Sequence, residues 1–254
     1  MGGDGADTVC FVVPCFNEEA RLRVEELCVL GADPRVSVIV VDDGSTDGTL
    51  ELVRSMAPRI PRLHVVRLDR NRGKGEAVRA GLVASRDTGS AWVGYVDADM
   101  STPARELLRL IDVALASPGH EVVLGTRVAL LGRDVRRSPF RHYTGRGFAT
   151  LASWVLSKPV YDTQCGAKLF RRTEEFERSI DQPFRSRWAF DVEVLGRLDA
   201  AGVPPASFWE EPLLVWHDAR GSRRTVLASM RASVDLLAIW RDLCAVPRAR
   251  GGRR

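Results

Sequence analysis

The chain has 254 residues, 45% of them hydrophobic and 28% charged, and a formal net charge of +4. That balance excludes a disordered or fibrous chain and leaves enough apolar material for a large core. No apolar run reaches membrane-spanning length, and the first eight residues are Gly- and Asp-rich where a signal peptide would be basic and apolar.

Residues 8–13 (TVCFVV) form a continuous apolar run stopped by Pro14, as in a buried parallel strand. Asn17 can cap the next segment, residues 18–30, which carries apolar positions at helical spacing up to Gly31. Residues 36–41 (VSVIVV) are a second buried strand, followed by a polar turn and a helix to about Met56. Residues 63–68 read as a third strand, with a helix near 76–85 behind the turn 69–75. Trp92-Val93-Gly94-Tyr95-Val96 is a fourth strand, ending abruptly in Asp97-Ala98-Asp99; a helix runs from Pro103 to about Ala116, and residues 121–125 are a fifth strand.

Strands alternating with helices imply an α/β fold with a mostly parallel sheet, whose sites gather at the carboxyl ends of the strands. The second half is less regular. An Arg-rich connection spans 128–139, helices are expected at 140–156 and 188–201, a short strand at 168–171 and a last strand at 207–216. Residues 225–244 form a long helix that either caps the domain or lies on a membrane as an amphipathic helix. The expected organisation is a disordered segment over residues 1–7, a single domain over 8–224, and a C-terminal helix with a basic tail over 225–254.

The five cysteines (Cys10, Cys15, Cys28, Cys165, Cys244) lack metal spacing, which suits a reduced, cytoplasmic chain. The histidines are scattered, so a His-based zinc site has little support. Arginines crowd 133–146 and 220–254, which suits phosphates or anionic headgroups as well as plain solvated surface. Nucleic acid is not expected as a partner, because the basic tail comes with no aromatic platform.

Buried carboxylates need a positive partner. Asp97 and Asp99 at the tip of a core strand therefore suggest Mg²⁺ or Mn²⁺, which prefer hard oxygen ligands; an acidic turn capping a helix is the alternative. Asp42 and Asp43 end a strand where an acid can accept hydrogen bonds from a nucleotide base or ribose, although Asp42-Asp43-Gly44-Ser45 also reads as an ordinary loop. Arg72-Gly73-Lys74-Gly75 is glycine-rich and basic before a helix and suits phosphate approach through Lys74, without being a P-loop. Asp162 and Gln164 form a polar island before an apolar strand, consistent with sugar hydroxyls. Asp191 is the site residue expected on its helix, as a general base if the acceptor is a hydroxyl.

Together, Val12-Val13-Pro14-Cys15-Phe16-Asn17-Glu18-Glu19, Val41-Asp42-Asp43-Gly44-Ser45-Thr46-Asp47-Gly48-Thr49, Asn71-Arg72-Gly73-Lys74-Gly75 and Asp97-Ala98-Asp99 resemble the inverting family 2 glycosyltransferases of the GT-A fold. Within that family, Asp162-Thr163-Gln164-Cys165-Gly166-Ala167-Lys168 and Arg187-Trp188-Ala189-Phe190-Asp191 are most similar to the dolichyl-phosphate glucosyltransferases, with the dolichol-phosphate mannose synthases next. The resemblance implies that Pro14, Phe16 and Glu18 line a nucleotide pocket and that Asp97 and Asp99 hold a metal against the diphosphate. It further implies that Arg127 meets the acceptor or donor phosphate, that Arg146 meets the lipid phosphate as in the mannose synthases, and that Arg223 sits in a loop closing over the donor. The expected reaction is transfer of a hexose, first choice glucose from UDP-glucose, to a polyprenyl phosphate. A small hydroxylated acceptor is the first alternative. A non-catalytic nucleotide-binding protein is the second, disfavoured by the intact acidic tripeptide.

Overall fold

The computed structural model describes residues 7–136, 139–218 and 226–245. The expected terminal disorder and the loop carrying Arg223 lie outside these residues, apart from Asp7.

A seven-stranded sheet has the order β3-β2-β1-β4-β7-β5-β8. Its strands are β1 (Val9–Cys15), β2 (Val36–Asp42), β3 (Leu63–Arg67), β4 (Trp92–Val96), β5 (Val122–Thr126), β7 (Ala167–Arg171) and β8 (Phe208–Pro212). Strands β1 to β4 pair in parallel, as do β5 and β8, while β7 runs antiparallel between β4 and β5. The two remaining strands, β6 (Asp134–Arg136) and β9 (Val215–His217), form a small parallel sheet of their own. The architecture is thus the α/β fold expected from the alternation.

Side chains on successive strand residues point to opposite faces, and both faces here are covered. Val9, Phe11, Val13 and Cys15 of β1 enter one core with α1 (Val24–Ala32) and α4 (Ala104–Ala116). Cys10 and Val12 enter the other, with α3 (Lys74–Ala84), α5 (Pro139–Leu156) and α7 (Phe190–Ala200). Helix α4 shows why such segments pack: Leu107, Leu110, Ile111 and Ala114 recur on one side and are buried. The helices α2 (Thr49–Ser55), α6 (Glu174–Asp181) and α8 (Val226–Ala245) complete the set among the described residues.

Four segments differ from expectation. Helix α1 starts at Val24 instead of residue 18, because Asn17 adopts φ 51 and the chain turns before it coils. Helix α6 is additional to the expected elements; Thr173 begins it by accepting a hydrogen bond from Phe176 N at 3.2 Å. The Arg-rich connection contains β6. The single strand expected at 207–216 is two, β8 and β9, which join different sheets. Among the described residues no helix is long and apolar enough to cross a membrane.

Candidate active site

The carboxyl ends of β1, β2, β4 and β5 meet on one rim, and the loops leaving them are stitched together. Asn17 N donates to Ser45 Oγ at 3.0 Å, Glu18 N to Thr49 Oγ1 at 2.8 Å, and Thr46 N to Asn17 Oδ1 at 2.9 Å. The left-handed φ of Asn17 is held by these bonds and leaves Pro14, Phe16 and Glu18 half-buried along one ledge.

Asp42 and Asp43 build this ledge. Asp42 is fully buried and its Oδ1 accepts from Ser45 N at 2.9 Å. Asp43 accepts from Arg72 N at 2.7 Å and Gly73 N at 2.8 Å, drawing the 72–75 turn inward. Gly73 takes φ 97, a conformation that a side chain would strain. Burial pushes the Asp43 carboxyl above its ordinary range despite the two N–H donors and nearby Arg187. Both oxygens of Asp43 and Oδ1 of Asp42 are thus already bonded to the loops, while Asp42 Oδ2 lies 3.5 Å from Arg67 Nε.

That turn delivers Lys74, at the start of α3, onto Asp97; the ammonium bonds Asp97 Oδ1 directly. Burial acts to raise the Asp97 carboxyl, but Lys74, with Lys168 and Arg127 nearby, outweighs it and holds the carboxyl below its ordinary range. Asp97 lies against the backbone of Gly166, where an added Cβ would collide with Asp97 Oδ2. The other acid, Asp99, accepts from Ser101 N at 3.1 Å and Ser101 Oγ at 2.8 Å through a turn in which Met100 has φ 45. Its second oxygen is 3.1 Å from Arg21 Nη2, and Arg21 Nε is 3.5 Å from Glu18 Oε2. Arg21 thus ties the β1 loop to the acidic tripeptide. It is not among the residues expected from sequence, although its position three residues after Glu18 was the available signal.

On the other side of the tripeptide, Arg127 at the end of β5 pairs with Asp162 through Nε and Nη2, both at 2.7 Å. The guanidinium also lies 5.2 Å from the Trp216 ring centre. Burial would lower Arg127, but Asp162 more than compensates and keeps it firmly charged. Glu210 on β8 fixes the turn beneath by accepting from Tyr161 N at 2.9 Å and Asp162 N at 3.1 Å. Arg146 of α5 stacks 4.1 Å from the Tyr161 ring centre and donates to Tyr161 O at 3.2 Å. Arg127, Arg146, Tyr161, Asp162, Thr163 and Gln164 line one cleft. Asp162, however, spends its carboxylate on Arg127, while Gln164 N donates back to Asp162 Oδ1 at 3.2 Å.

Asp191 opens α7 and is buried. Its Oδ1 accepts from Lys168 Nζ at 2.7 Å and from the Tyr95 hydroxyl. Lys168, fully buried on β7, also donates to Cys165 O. Burial, and then the neighbouring Asp191 charge, push the Tyr95 phenol well above its ordinary range, so it stays a donor. Lys168 and Tyr95 are further additions to the expected site. Phe190 is core, whereas its neighbour Trp188 is 37% exposed.

Comparison with known proteins agrees with this geometry. Residues 10–176 match the family model described as Glycosyl transferase family 2. A Dolichyl-phosphate beta-glucosyltransferase of Dictyostelium discoideum is 32% identical over 227 residues, covering 84% of this chain and 67% of its relative. The protein of the same name from Mus musculus is 35% identical over 245 residues, covering 90% and 73%. Among solved structures, glucosyl-3-phosphoglycerate synthase from Mycobacterium tuberculosis, in complex with Mn²⁺, uridine diphosphate and glucosyl-3-phosphoglycerate, superposes with a TM-score of 0.69. That match has 21% identity over 97% of this chain and 83% of the other, and speaks for the fold. With the rim motifs on one ledge and the family match spanning them, the chain belongs to glycosyl transferase family 2 and is a glycosyltransferase.

Proposed function

We propose that this enzyme transfers glucose, with inversion, from UDP-glucose to a polyprenyl or dolichyl phosphate. The observation that carries the acceptor assignment is the state of Asp191. A hydroxyl acceptor must lose a proton to a base. The one carboxylate expected for that task is buried and held by Lys168 and Tyr95. A phosphate acceptor is already ionised and needs cations to hold it, and the neighbouring cleft is lined by Arg127 and Arg146. The glucosyl choice is supported by relatives at 32% and 35% identity.

Asp97 and Asp99 would hold a divalent cation. They present hard oxygens at one strand end, each already facing a positive side chain, Lys74 and Arg21 respectively. Among the described residues no group of three or more His, Cys, Asp and Glu converges, so water and the donor's own diphosphate would supply the other ligands. Mg²⁺ or Mn²⁺ bound there would neutralise charge on the departing diphosphate. Lys74 stands beside the same oxygens and adds a second positive charge. Pro14, Phe16 and Glu18 flank the nucleotide on the ledge. Asp191 acts as a positioning residue that fixes Lys168 behind Asp97.

Radiolabelled UDP-glucose and GDP-mannose are to be offered with Mn²⁺ to a short-chain polyprenyl phosphate in detergent, and separately to glycerol-type hydroxyl acceptors. Label entering the organic phase from UDP-glucose is the expected outcome. Transfer to the hydroxyl acceptors alone would overturn the reading.

A further inference from the structure

Helices α5 and α8 lie side by side, and each has two dissimilar faces. Inward, Phe148, Ala152 and Val155 of α5 and Leu236 and Ile239 of α8 enter the core. Outward, Tyr143, Leu151 and Trp154 of α5 and Val234, Leu237 and Trp240 of α8 are between 40% and 75% exposed. The spacing keeps each trio on one side of its helix. Trp154 and Trp240 stack with ring centres 5.3 Å apart and join the two rows into one apolar strip. Contiguous apolar patches of this kind on a folded surface mark an interaction site.

Charge identifies the occupant. The sequence of α5 contains no acidic residue. The acids of α8 are already engaged: Asp242 pairs with Arg185, and Asp235 accepts from the Ser186 hydroxyl. Arg241 is exposed beside Trp240, and the sequence after Ala245 carries Arg248, Arg250, Arg253 and Arg254. An apolar strip with indoles, flanked by the exposed Arg241, followed in sequence by four arginines and bearing only the two engaged acids of α8, is complementary to an anionic lipid surface. The strip is also continuous with the active site, because α5 itself carries Arg146 into the acceptor cleft.

We infer that the α5–α8 face docks this enzyme peripherally on an anionic membrane. This inference rests on the lipid-phosphate reading, since docking presents the cleft beside Arg146 to an acceptor whose phosphate lies at the headgroup level. A second copy of the chain is the rival occupant.

The full chain is to be sedimented with vesicles of phosphatidylcholine alone and of phosphatidylcholine mixed with phosphatidylglycerol. Expected are binding to the mixed vesicles, weakening with salt, and an about tenfold or greater loss for Val234→Asp/Leu237→Asp and for Leu151→Asp. UDP binding by these variants should match the wild type, which reports that they fold. Wild-type protein that stays in solution, variants that bind as well as wild type, or a wild-type dimer that the substitutions split would each overturn the docking face. The reactions in detergent separate the two ideas. Transfer to polyprenyl phosphate without vesicle binding removes the face and keeps the acceptor, and vesicle binding without such transfer does the reverse.

Discussion

Lys168→Met should destabilise the fold by about 3–5 kcal/mol, the cost of leaving one buried charge without its partner. Lys168 is 0% exposed and its ammonium sits 2.7 Å from Asp191 Oδ1, itself in a side chain 7% exposed. Methionine nearly matches the lysine stem in volume, so the loss is electrostatic and not a cavity. The remaining partner of that oxygen, the Tyr95 hydroxyl, supplies one hydrogen bond worth about 1.5–3 kcal/mol to a charged acceptor, too little to offset a stranded carboxylate. At about 2–4 °C per kcal/mol for a chain of this size, the melting temperature should fall by roughly 6–20 °C. Lys168→Met/Asp191→Leu removes both charges and should recover most of the loss, leaving about 1–3 kcal/mol for the stranded Tyr95 hydroxyl. Urea denaturation of the wild type, both single variants and the double closes the cycle. A Lys168→Met effect under about 1 kcal/mol, the range of a hydrated surface pair, would refute the reasoning.

Gly166→Ala should lower kcat/KM about 10²-fold with little change in melting temperature, since the added methyl displaces Asp97, and a misplacement of about 1 Å has that effect. Wild-type kinetics in this variant would show that Asp97 tolerates the shift. Arg21→Met removes the positive charge 3.1 Å from Asp99 and should tighten Mn²⁺ binding without nucleotide about two- to fivefold, read by the EPR signal of free Mn²⁺. Equal or weaker affinity would dissociate Arg21 from the metal. For Glu210, burial raises the carboxyl above its ordinary range, so the folded state holds the proton more tightly than the unfolded chain. Its contribution to stability is therefore full below the unfolded pKa and is lost as pH rises through the folded one. Glu210→Gln does not titrate, so its stability relative to wild type should improve between about pH 4 and 7, and a constant difference across that range would contradict the assignment.

The parts of the fold legible in the sequence are those where one local rule decides. Short runs rich in β-branched residues, such as 36–41, read as strands covered on both faces, and the helices between them favour parallel pairing. What escaped depends on distant partners. Strands β6 and β9 have three residues each and exist because Asp134–Arg136 meets Val215–His217. Nothing in Ala167–Arg171 itself says that the strand runs antiparallel between β4 and β5. Helix α6 is short and acidic, and its one clear signal, the Thr173 cap, is a common residue in a common place. The site divides in the same way. The carboxyl-end rule gathers Asp97, Asp99, Lys74 and Arg127 on one rim, but which side chain meets which is beyond it. Arg127 and Asp162, read separately as phosphate and sugar contacts, turn out to bind each other.

Those pairings have a common logic. Four acids of the site each meet a cation from a different element: Asp97 takes Lys74 from α3, Asp99 takes Arg21 from the β1 loop, Asp162 takes Arg127 from β5, and Asp191 takes Lys168 from β7. Carboxylates this close together would repel one another if left uncompensated, so the interleaved cations are what allow them to share one rim. On the proposed reaction, donor diphosphate and acceptor phosphate then arrive as surplus negative charge on a surface already near balance. Lysine and arginine can turn toward them only by releasing an acid, which leaves the acids able to accept a divalent ion. On that proposal, the role given to a divalent ion rests on charge balance across the rim and not on the acidic tripeptide alone. The gain in Mn²⁺ affinity expected of Arg21→Met should therefore shrink once UDP is bound, because the nucleotide draws Arg21 off Asp99 in the wild type as well.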